Sequence, residues 1–567
     1  MSKKTLFVAA MAVAVLFTSC SKNLTALDGT YFKTTPNPLE VKAGEVDATI
    51  TGTFPEKYFN KRAVLTVTPV LKYGNQEVQG EPTVFQGEKV LGNDRTIAYR
   101  AGGTYSMSSN FVYQPEMAKS ELFLNFDVVQ KKKNYKLPSV KVADGIIATS
   151  QLVSTSAKEI HPAIAPDNFQ RVTQENENAD ILFLIQQAQL RSSELNKDDV
   201  VAFTEKVKEA RDARNKEIAS LKVLGYASPD GAFELNKNLA ERRQKVTTDY
   251  LNKEFKKLQA NVTIDSDFTA EDWEGFQKMM EASDIQDKEL ILRVLSMYQD
   301  PEEREREIKN LATTFQSIAD EILPQLRRSR LKMTVDVTGK SDAEIMTLSA
   351  RNPKELTANE LLYAGTLAST NREQTRIYEK FIDIYPDDAR GYNNLGMMHY
   401  YAGDVDRAEK MFEKAVQLDP ASADANYNLG LIKLGKGQVT DAQALFGKSA
   451  GTVGNLDAAL GASYMMQGDY AKAQNTLDKV NSNNAALVQI LNNDYNGARN
   501  TLAAIISPDA TTAYLGAILA ARTNDRDAVY SNLREAVRLD KTMRRKAASD
   551  LEFAKYFADK TFMTILK

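Results

Sequence analysis

The feature that most constrains this sequence is an internal repeat towards its C-terminal end. The stretches "YNNLGMMHYYAGDVDRAEKMFEKAVQLDP" and "NYNLGLIKLGKGQVTDAQALFGKSA" align at a constant offset of 34 residues. The offset holds for Leu395 and Leu429, Gly396 and Gly430, Ala408 and Ala442, and Phe412 and Phe446. A fixed period of this length is typical of stacked units that bury their apolar faces against one another. The small residues let two antiparallel helices approach closely, so the sequence predicts a solenoid of helix pairs.

The first copy resembles the tetratricopeptide repeat at the internal spacing of that motif. The matching residues are Tyr392, Leu395, Gly396, Ala408, Phe412, Ala415 and Pro420. Looser copies lie around Tyr378 and Pro386, within 459–480, around Ala498, and around Leu515-Gly516 and Ala528. The resemblance covers 355–540 in about six units, and residues 541–567 are expected to form C-terminal capping helices. It implies a concave groove that binds a peptide or a protein, here an unknown envelope protein. In the alternative, the solenoid only packs on the chain's own α/β domain.

The N-terminus has the pattern of an export signal. Lys3 and Lys4 precede an apolar run, Leu6–Phe17, that is shorter than the roughly 20 residues of a membrane-spanning helix. The ending "LFTSC" resembles a bacterial lipobox, which implies a signal peptide over 1–19 and a lipid anchor on Cys20, followed by a tether to residue 37. With Ser21 in place of a retention aspartate, the expected location is the outer membrane, facing the periplasm. The alternative is an ordinary signal peptide with an incidental cysteine.

Residues 38–165 have the period-two pattern of β-strands. In "VDATITGTF", Val46, Ala48, Ile50 and Phe54 fall on one face, and turn residues separate this stretch from similar ones. The pattern predicts a β-sandwich of immunoglobulin-like size, interpreted as a spacer.

The pattern changes in 175–340, where strands and helices alternate. Strands are predicted at 179–190, 218–227 and 330–337, and helices at 196–215 and 235–255. A charged helical insert is expected over about 268–328. The predicted fold class is therefore multidomain: an N-terminal β-sandwich, a central α/β sandwich and a C-terminal all-α solenoid.

Residues 218–255, which include the stretch "GYASPDGAFELNKNLAERRQKV" at 225–246, resemble the OmpA-like peptidoglycan-associated domain. The shared positions are Gly225, Tyr226, Gly231, Asn236, Leu239, Ala240, Arg243, Val246, Tyr250 and Leu251. A variant in Bacteroidetes envelope proteins has the same "GYASPDG" turn. The resemblance implies that an aspartate and an arginine bind the free end of diaminopimelate in the peptidoglycan stem peptide. A carboxylate pairs with its ammonium and a guanidinium with its carboxylate.

The residues that would carry this contact match the family only in part. Arg243 and Asn236 stand at the family's positions, but Ser228 stands where the family has aspartate. Serine supplies no charge, so Asp230 is the candidate replacement, although "SPDG" also fits a type I β-turn. Arg242 is a further candidate, or else part of a solvated helix face.

Composition excludes several other functions. The formal net charge of −3 gives no general attraction to nucleic acid. Two histidines and a single cysteine exclude disulfides, thiolate zinc sites and Cys–His catalysis, so no metal and no cofactor is expected. The sequence therefore predicts a non-enzymatic envelope lipoprotein that anchors to peptidoglycan and scaffolds a protein partner. The alternative is an accessory factor for an envelope secretion or fimbrial system whose OmpA-like domain no longer binds peptidoglycan.

Overall fold

The computed structural model describes residues 24–260, 262–285, 288–310, 312–449 and 455–567. The chain divides into two compact units, one formed by Met1–Pro166 with Thr370–Lys567 and the other by Asp167–Ser369. The predicted signal peptide and Cys20 lie outside the described residues. In the part of the chain that is described, no helix has both the length and the apolar character needed to cross a membrane.

The N-terminal part of the first unit consists of β-strands. They are β1 (Phe32–Thr35), β2 (Leu39–Lys42), β3 (Glu45–Phe54), β4 (Ala63–Tyr73), β5 (Gln76–Gln79), β6 (Thr83–Gly87), β7 (Arg95–Ile97), β8 (Gly103–Val112), β9 (Ser120–Gln130), β10 (Lys133–Asp144) and β11 (Ile146–Ile147). One sheet has β3 between β8 on one side and β1 and β2 on the other, with β11 beside β2. The other has the order β10-β9-β4-β6-β7, with β5 also paired to β4. The N-terminal region is therefore sheet-rich, as predicted.

Alternating burial explains how these strands form one core. In β3, every second residue is buried, including Val46, Ala48 and Ile50, because successive side chains of a strand point to opposite faces. These residues share one apolar cluster with strands of the second sheet. Leu24 and Leu27, from the segment expected to be a tether, also belong to this cluster.

The second unit contains a four-stranded sheet and helices. Its elements are β12 (Val172–Leu182), α1 (Ser192–Leu195), α2 (Asp198–Asp212), β13 (Lys216–Tyr226), α3 (Phe233–Lys257), β14 (Asp265–Thr269), α4 (Trp273–Ala282), α5 (Lys288–Met297), α6 (Pro301–Asn310), α7 (Ala312–Ser317), α8 (Leu323–Leu326), β15 (Arg328–Thr338), α9 (Asp342–Arg351) and α10 (Ala358–Leu367). The strand order is β12-β15-β13-β14, and only the pair β13 and β14 is parallel. Apolar residues of α2 and α3 pack on this sheet, and those of α4, α5 and α8 form a separate cluster.

Two sequence predictions for this unit need correction. The strand predicted at 179–190 is β12, which ends at Leu182. The sequence pattern does not predict the polar first half of β12, because that half is not buried. It is a strand because it pairs with β15 along its whole length. Strand β14 was not predicted at all, since only one of its five residues is even partly buried and it lacks an apolar pattern.

The C-terminal part of the first unit is helical. Its helices are α11 (Asn371–Ile384), α12 (Ala389–Tyr401), α13 (Val405–Leu418), α14 (Ala423–Gly435), α15 (Val439–Gly447), α16 (Leu456–Met466), α17 (Tyr470–Thr476), α18 (Asn483–Leu491), α19 (Tyr495–Ala504), α20 (Ala510–Arg522), α21 (Arg526–Leu539), α22 (Met543–Ala547) and α23 (Lys560–Ile565). From α12 to α21 they pack as successive pairs, as the repeat predicts.

Two structural features recur in these helix pairs: a positive-φ residue after the first helix, and a close approach of the two helices at a small residue. Two residues after the first helix of each pair ends lies a residue with positive φ, a conformation that Gly and Asn adopt most easily: Gly403, Gly437, Gly468, Asn493 and Asn524. At Gly430, an added Cβ would lie 2.5 Å from the ring of Phe446. The absence of a side chain there allows the two helices of the pair to approach, which explains the spacing of small and large residues in the repeat.

Candidate functional site

Asparagines recur at one position of the repeats. Asn394 in α12, Asn428 in α14 and Asn484 in α18 each lie nine residues before the positive-φ residue that follows the first helix. Burial is nearly complete for all three, at 1%, 0% and 2% exposure. A buried amide has two donors and an acceptor to satisfy, so its partners define what this face of the repeats binds.

Those partners belong to residues 153–166, which we call the groove segment. Asn484 accepts a hydrogen bond from the N–H of Ser154 (2.9 Å) and donates one to its carbonyl (2.7 Å). Asn428 makes the same two bonds with Ala163, both at 2.7 Å. Asn394 makes them with Ala165, at 2.8 and 3.1 Å. Each amide therefore pairs with the main chain of one residue, as a neighbouring strand would.

Further side chains of the repeats hold the same segment. The hydroxyl of Tyr400 donates to the carbonyl of Thr155 (3.0 Å), and that of Tyr427 donates to the carbonyl of His161 (3.2 Å). Asn393 donates to the carbonyl of Ala163 (3.0 Å) and accepts from the amide of Asn428 (2.8 Å). The asparagines thus form a connected network in which one fixes the orientation of the next.

One apolar side chain anchors the segment. Ile160 is completely buried and shares a cluster with Tyr427, Ala459 and Ala462. Burial of an isoleucine side chain contributes about 1.5–3 kcal/mol. The groove therefore combines main-chain pairing with a single apolar pocket.

The carboxyl of Glu159 is held in a poorly solvated position. Its Oε1 accepts from Asn483 (2.7 Å), whereas Oε2 is buried without a partner among the described residues. Burial raises the pKa of Glu159, only partly offset by hydrogen bonds from Asn483 and Asn484, and Asp509 raises it further. This carboxyl is a side chain of the groove segment whose protonation is coupled to its burial against the repeats.

The predicted peptidoglycan site lies in the second unit, and its arginine is buried. Arg243 is 1% exposed and donates from Nε, Nη1 and Nη2 to the carbonyls of Gln187 (3.0 Å), Tyr226 (2.9 Å) and Leu184 (3.3 Å). Burial, together with the charge of Arg327, lowers the pKa of Arg243 to about 10. It remains a cation at neutral pH, and its guanidinium ties the 184–187 loop to the end of β13.

The other predicted residues surround a cation that sequence analysis missed. Arg327 donates to the hydroxyl of Ser228 (3.1 Å) and to the carboxylate of Asp230 (3.1 Å), while that hydroxyl also hydrogen-bonds Asp230. The amide of Asn236 donates to the carbonyl of Gly231 (2.9 Å) and closes the turn, and Arg242 is exposed on α3. The structure thus brings Ser228, Asp230 and Asn236 to one turn with Arg327.

Two signals for these features were present in the sequence. The asparagines appear in "YNNLG", "NYNLG" and "NNAAL", each near the start of a first helix. Arg327 lies in "RRSR", directly before the last strand, where sequence analysis assigned no role.

Comparison with known proteins identifies the helical region. Two family models described as tetratricopeptide repeat match residues 389–422 and 411–444, which include Asn393, Asn394 and Asn428. The C-terminal repeats are therefore tetratricopeptide repeats, a protein-interaction scaffold. No curated protein matches the sequence.

Several solved structures resemble the repeats. PilF of Pseudomonas aeruginosa is 17% identical with a TM-score of 0.30, over 39% of this chain and 100% of that chain. A tetratricopeptide repeat protein of Parabacteroides merdae is 11% identical with a TM-score of 0.30, over 43% and 98%. YrrB, described as having an unusual peptide-binding site, is 21% identical with a TM-score of 0.25, over 31% and 97%. Likeness at this level carries no argument about function.

Proposed function

We propose that this chain is a non-enzymatic lipoprotein of the bacterial envelope that docks on peptidoglycan through its second unit and holds a protein partner through its repeats. Cys20 would carry the lipid anchor, on the periplasmic side of the outer membrane. The OmpA-like pattern of residues 225–251 supports the docking part. The observation that carries it is the pair of opposite charges formed by Asp230 and Arg327 at the turn.

The chemistry of this pair suits the free end of diaminopimelate, which presents an ammonium and a carboxylate. Asp230 binds the ammonium, and the guanidinium of Arg327 binds the carboxylate through two parallel hydrogen bonds. Without ligand, Asp230 and Arg327 form one ion pair at 3.1 Å. Binding of the ligand replaces this pair with two, one to Asp230 and one to Arg327. Ser228 already accepts from Arg327, so its hydroxyl orients the cation rather than binding the ammonium.

Arg243 has a positioning role in this proposal. Its bonds to three carbonyls leave its guanidinium no free fork for a carboxylate. It holds the strand end and the neighbouring loop in place and adds positive charge near Asp230. The family's cationic role therefore passes to Arg327 in this chain.

Co-sedimentation with purified peptidoglycan sacculi tests the docking part. The full chain, with Cys20→Ser in every sample to prevent lipidation, is mixed with sacculi and pelleted. We expect Asp230→Asn and Arg327→Gln each to reduce binding about tenfold or more, because charged hydrogen bonds contribute about 1.5–3 kcal/mol. Arg242→Gln, an exposed cation on the same helix as Arg243, is the matched control and should pellet like the parent.

Two results would contradict this proposal. Equal pelleting of Asp230→Asn and the parent would remove the carboxylate from the site. No pelleting of the parent at all would favour the alternative, an accessory factor of a secretion or fimbrial system.

A further inference from the structure

We infer that the groove segment, residues 153–166, is a built-in ligand of the repeat groove, and that the protein partner binds there by an extended stretch of its own chain that replaces it. The inference rests on the proposed function, in which the repeats hold a protein partner. It adds that the partner binds as an extended peptide and that it competes with the groove segment for the same groove.

The asparagines of the groove recognise main chain rather than particular side chains. The side-chain amides of Asn394, Asn428 and Asn484 hydrogen-bond the N–H and C=O groups of the segment. Every residue except proline has both groups. These three amides therefore cannot distinguish the chain's own segment from another extended peptide.

Side chains restrict which peptides fit. Ala165 is 4% exposed and Pro162 is buried, so bulky residues have no space at these positions. Ile160 fills the apolar pocket, whereas His161 and Ile164 point to solvent. The expected partner is an extended peptide with an apolar residue at the position of Ile160 and compact residues two and five places after it, at the positions of Pro162 and Ala165.

The segment competes from within the same molecule. It is tied at one end to the turn Thr149–Leu152, whose Ser150 bonds the carbonyl of Val41 in β2. A tethered ligand has an effective concentration of about 1 mM. If the segment binds the open groove with an intrinsic Kd of about 10 µM, it occupies the groove roughly 100 times as often as it leaves it empty, and the apparent affinity of a free peptide falls about 100-fold.

The test uses a fluorescein-labelled synthetic peptide, "VSTSAKEIHPAIAP", with the sequence of the groove segment. Its anisotropy is measured with the full chain and with an open-groove variant, in which residues 153–165 are replaced by a Gly–Ser linker of equal length. We expect the open-groove variant to bind the peptide about 100-fold more tightly than the unmodified chain. Adding Asn428→Ala to the open-groove variant should abolish most of this binding, and adding Asn500→Ala, at an exposed position of α19, should not.

A chemically modified peptide tests main-chain recognition directly. Methylation of the backbone nitrogen of the residue equivalent to Ala163 removes the donor to Asn428 and changes no side chain. We expect this peptide to lose binding at least tenfold. A peptide with scrambled residues at the solvent-facing positions His161 and Ile164 should bind like the original.

A point variant provides a second test in case the open-groove variant does not fold. Ala165→Glu places a long charged side chain where the structure has no room, so it should release the segment while keeping the asparagines intact. Circular dichroism establishes whether each variant is folded. Folded open-groove variants that do not bind the peptide, or that bind the methylated peptide equally well, would overturn the inference.

The remaining outcomes are also decisive. If neither variant folds, the segment is a permanent part of the first unit and not a replaceable ligand. If the unmodified chain retains a protein partner while the open-groove variant ignores the peptide, the proposed function stands and the inference fails.

Discussion

Replacement of Asn428 by alanine is the most direct perturbation of the groove. The Asn428 amide is fully buried and makes three hydrogen bonds, two to Ala163 and one to Asn393. Asn428→Ala removes all three. The carbonyl of Ala163 keeps its bond from Asn393, but its N–H has no other described partner.

The expected loss of stability follows from these contacts. Each hydrogen bond contributes about 1 kcal/mol net, and an orphaned buried N–H costs about 1–3 kcal/mol. A water molecule that enters the space left by the amide recovers part of this. We therefore expect Asn428→Ala to lower the free energy of unfolding of the first unit by ~2–4 kcal/mol.

Urea denaturation followed by two signals measures this loss. Trp273 is the only tryptophan and lies in the second unit, so its fluorescence follows that unit alone. Far-UV circular dichroism also follows the helices of the repeats. With an m-value of about 3 kcal/mol/M, the midpoint of the repeat transition should fall by about 1 M, while the tryptophan midpoint stays unchanged.

The matched control is Asn500→Ala, which makes the same substitution at an exposed helical position. A midpoint shift for Asn428→Ala no larger than that for Asn500→Ala would refute the energetic importance of the main-chain pairs. An equal shift of the tryptophan transition would refute the assignment of the loss to the first unit.

Two further predictions concern the same unit. The folded-state pKa of Glu159 is raised above 4.5, so the folded state binds a proton before the unfolded state as pH falls. The free energy of unfolding should therefore rise as pH is lowered towards 4.5. Urea titrations at several pH values measure this dependence, and Glu159→Gln should remove it. A flat profile for the parent chain would contradict it. Gly430→Ala places a Cβ 2.5 Å from Phe446 and should cost about 1–3 kcal/mol. Because Phe446→Leu shortens the opposing side chain, the double variant should be less destabilised than the two single effects added, and strict additivity in thermal melts would count against the contact.

The helical repeats could be predicted from the sequence because each unit repeats the same helix–helix contact between residues that are close in sequence. Gly396 and Phe412, and again Gly430 and Phe446, encode the contact between two helices within a short stretch of chain. The occupant of the groove could not be predicted in this way. Ala165 and Asn394 are 229 residues apart, and "VSTSAKEIHPAIAP" has no periodicity of its own.

The site at the turn was predictable only in part, for a related reason. The spacing from Ser228 to Asn236 identifies the turn and the start of α3, which are local. Arg327 reaches Asp230 from 97 residues away, as the last residue before β15. Arg243 has a different role from the predicted one because it is buried. The pattern of residue types locates this arginine, but it is bound by main-chain carbonyls, which every residue has and which no sequence pattern identifies.

The groove segment also satisfies a requirement of its own backbone. Residues 153–166 form no regular strand or helix, so their N–H and C=O groups need partners wherever they are shielded from water. The asparagines supply those partners without fixing the sequence of the segment. When the segment leaves the groove, water replaces these hydrogen bonds at a net cost of about 1 kcal/mol each, and Ile160 loses its pocket and becomes exposed. Retention of the segment therefore depends on Ile160 as well as on the asparagines, and a partner peptide must supply an equivalent apolar side chain to replace it.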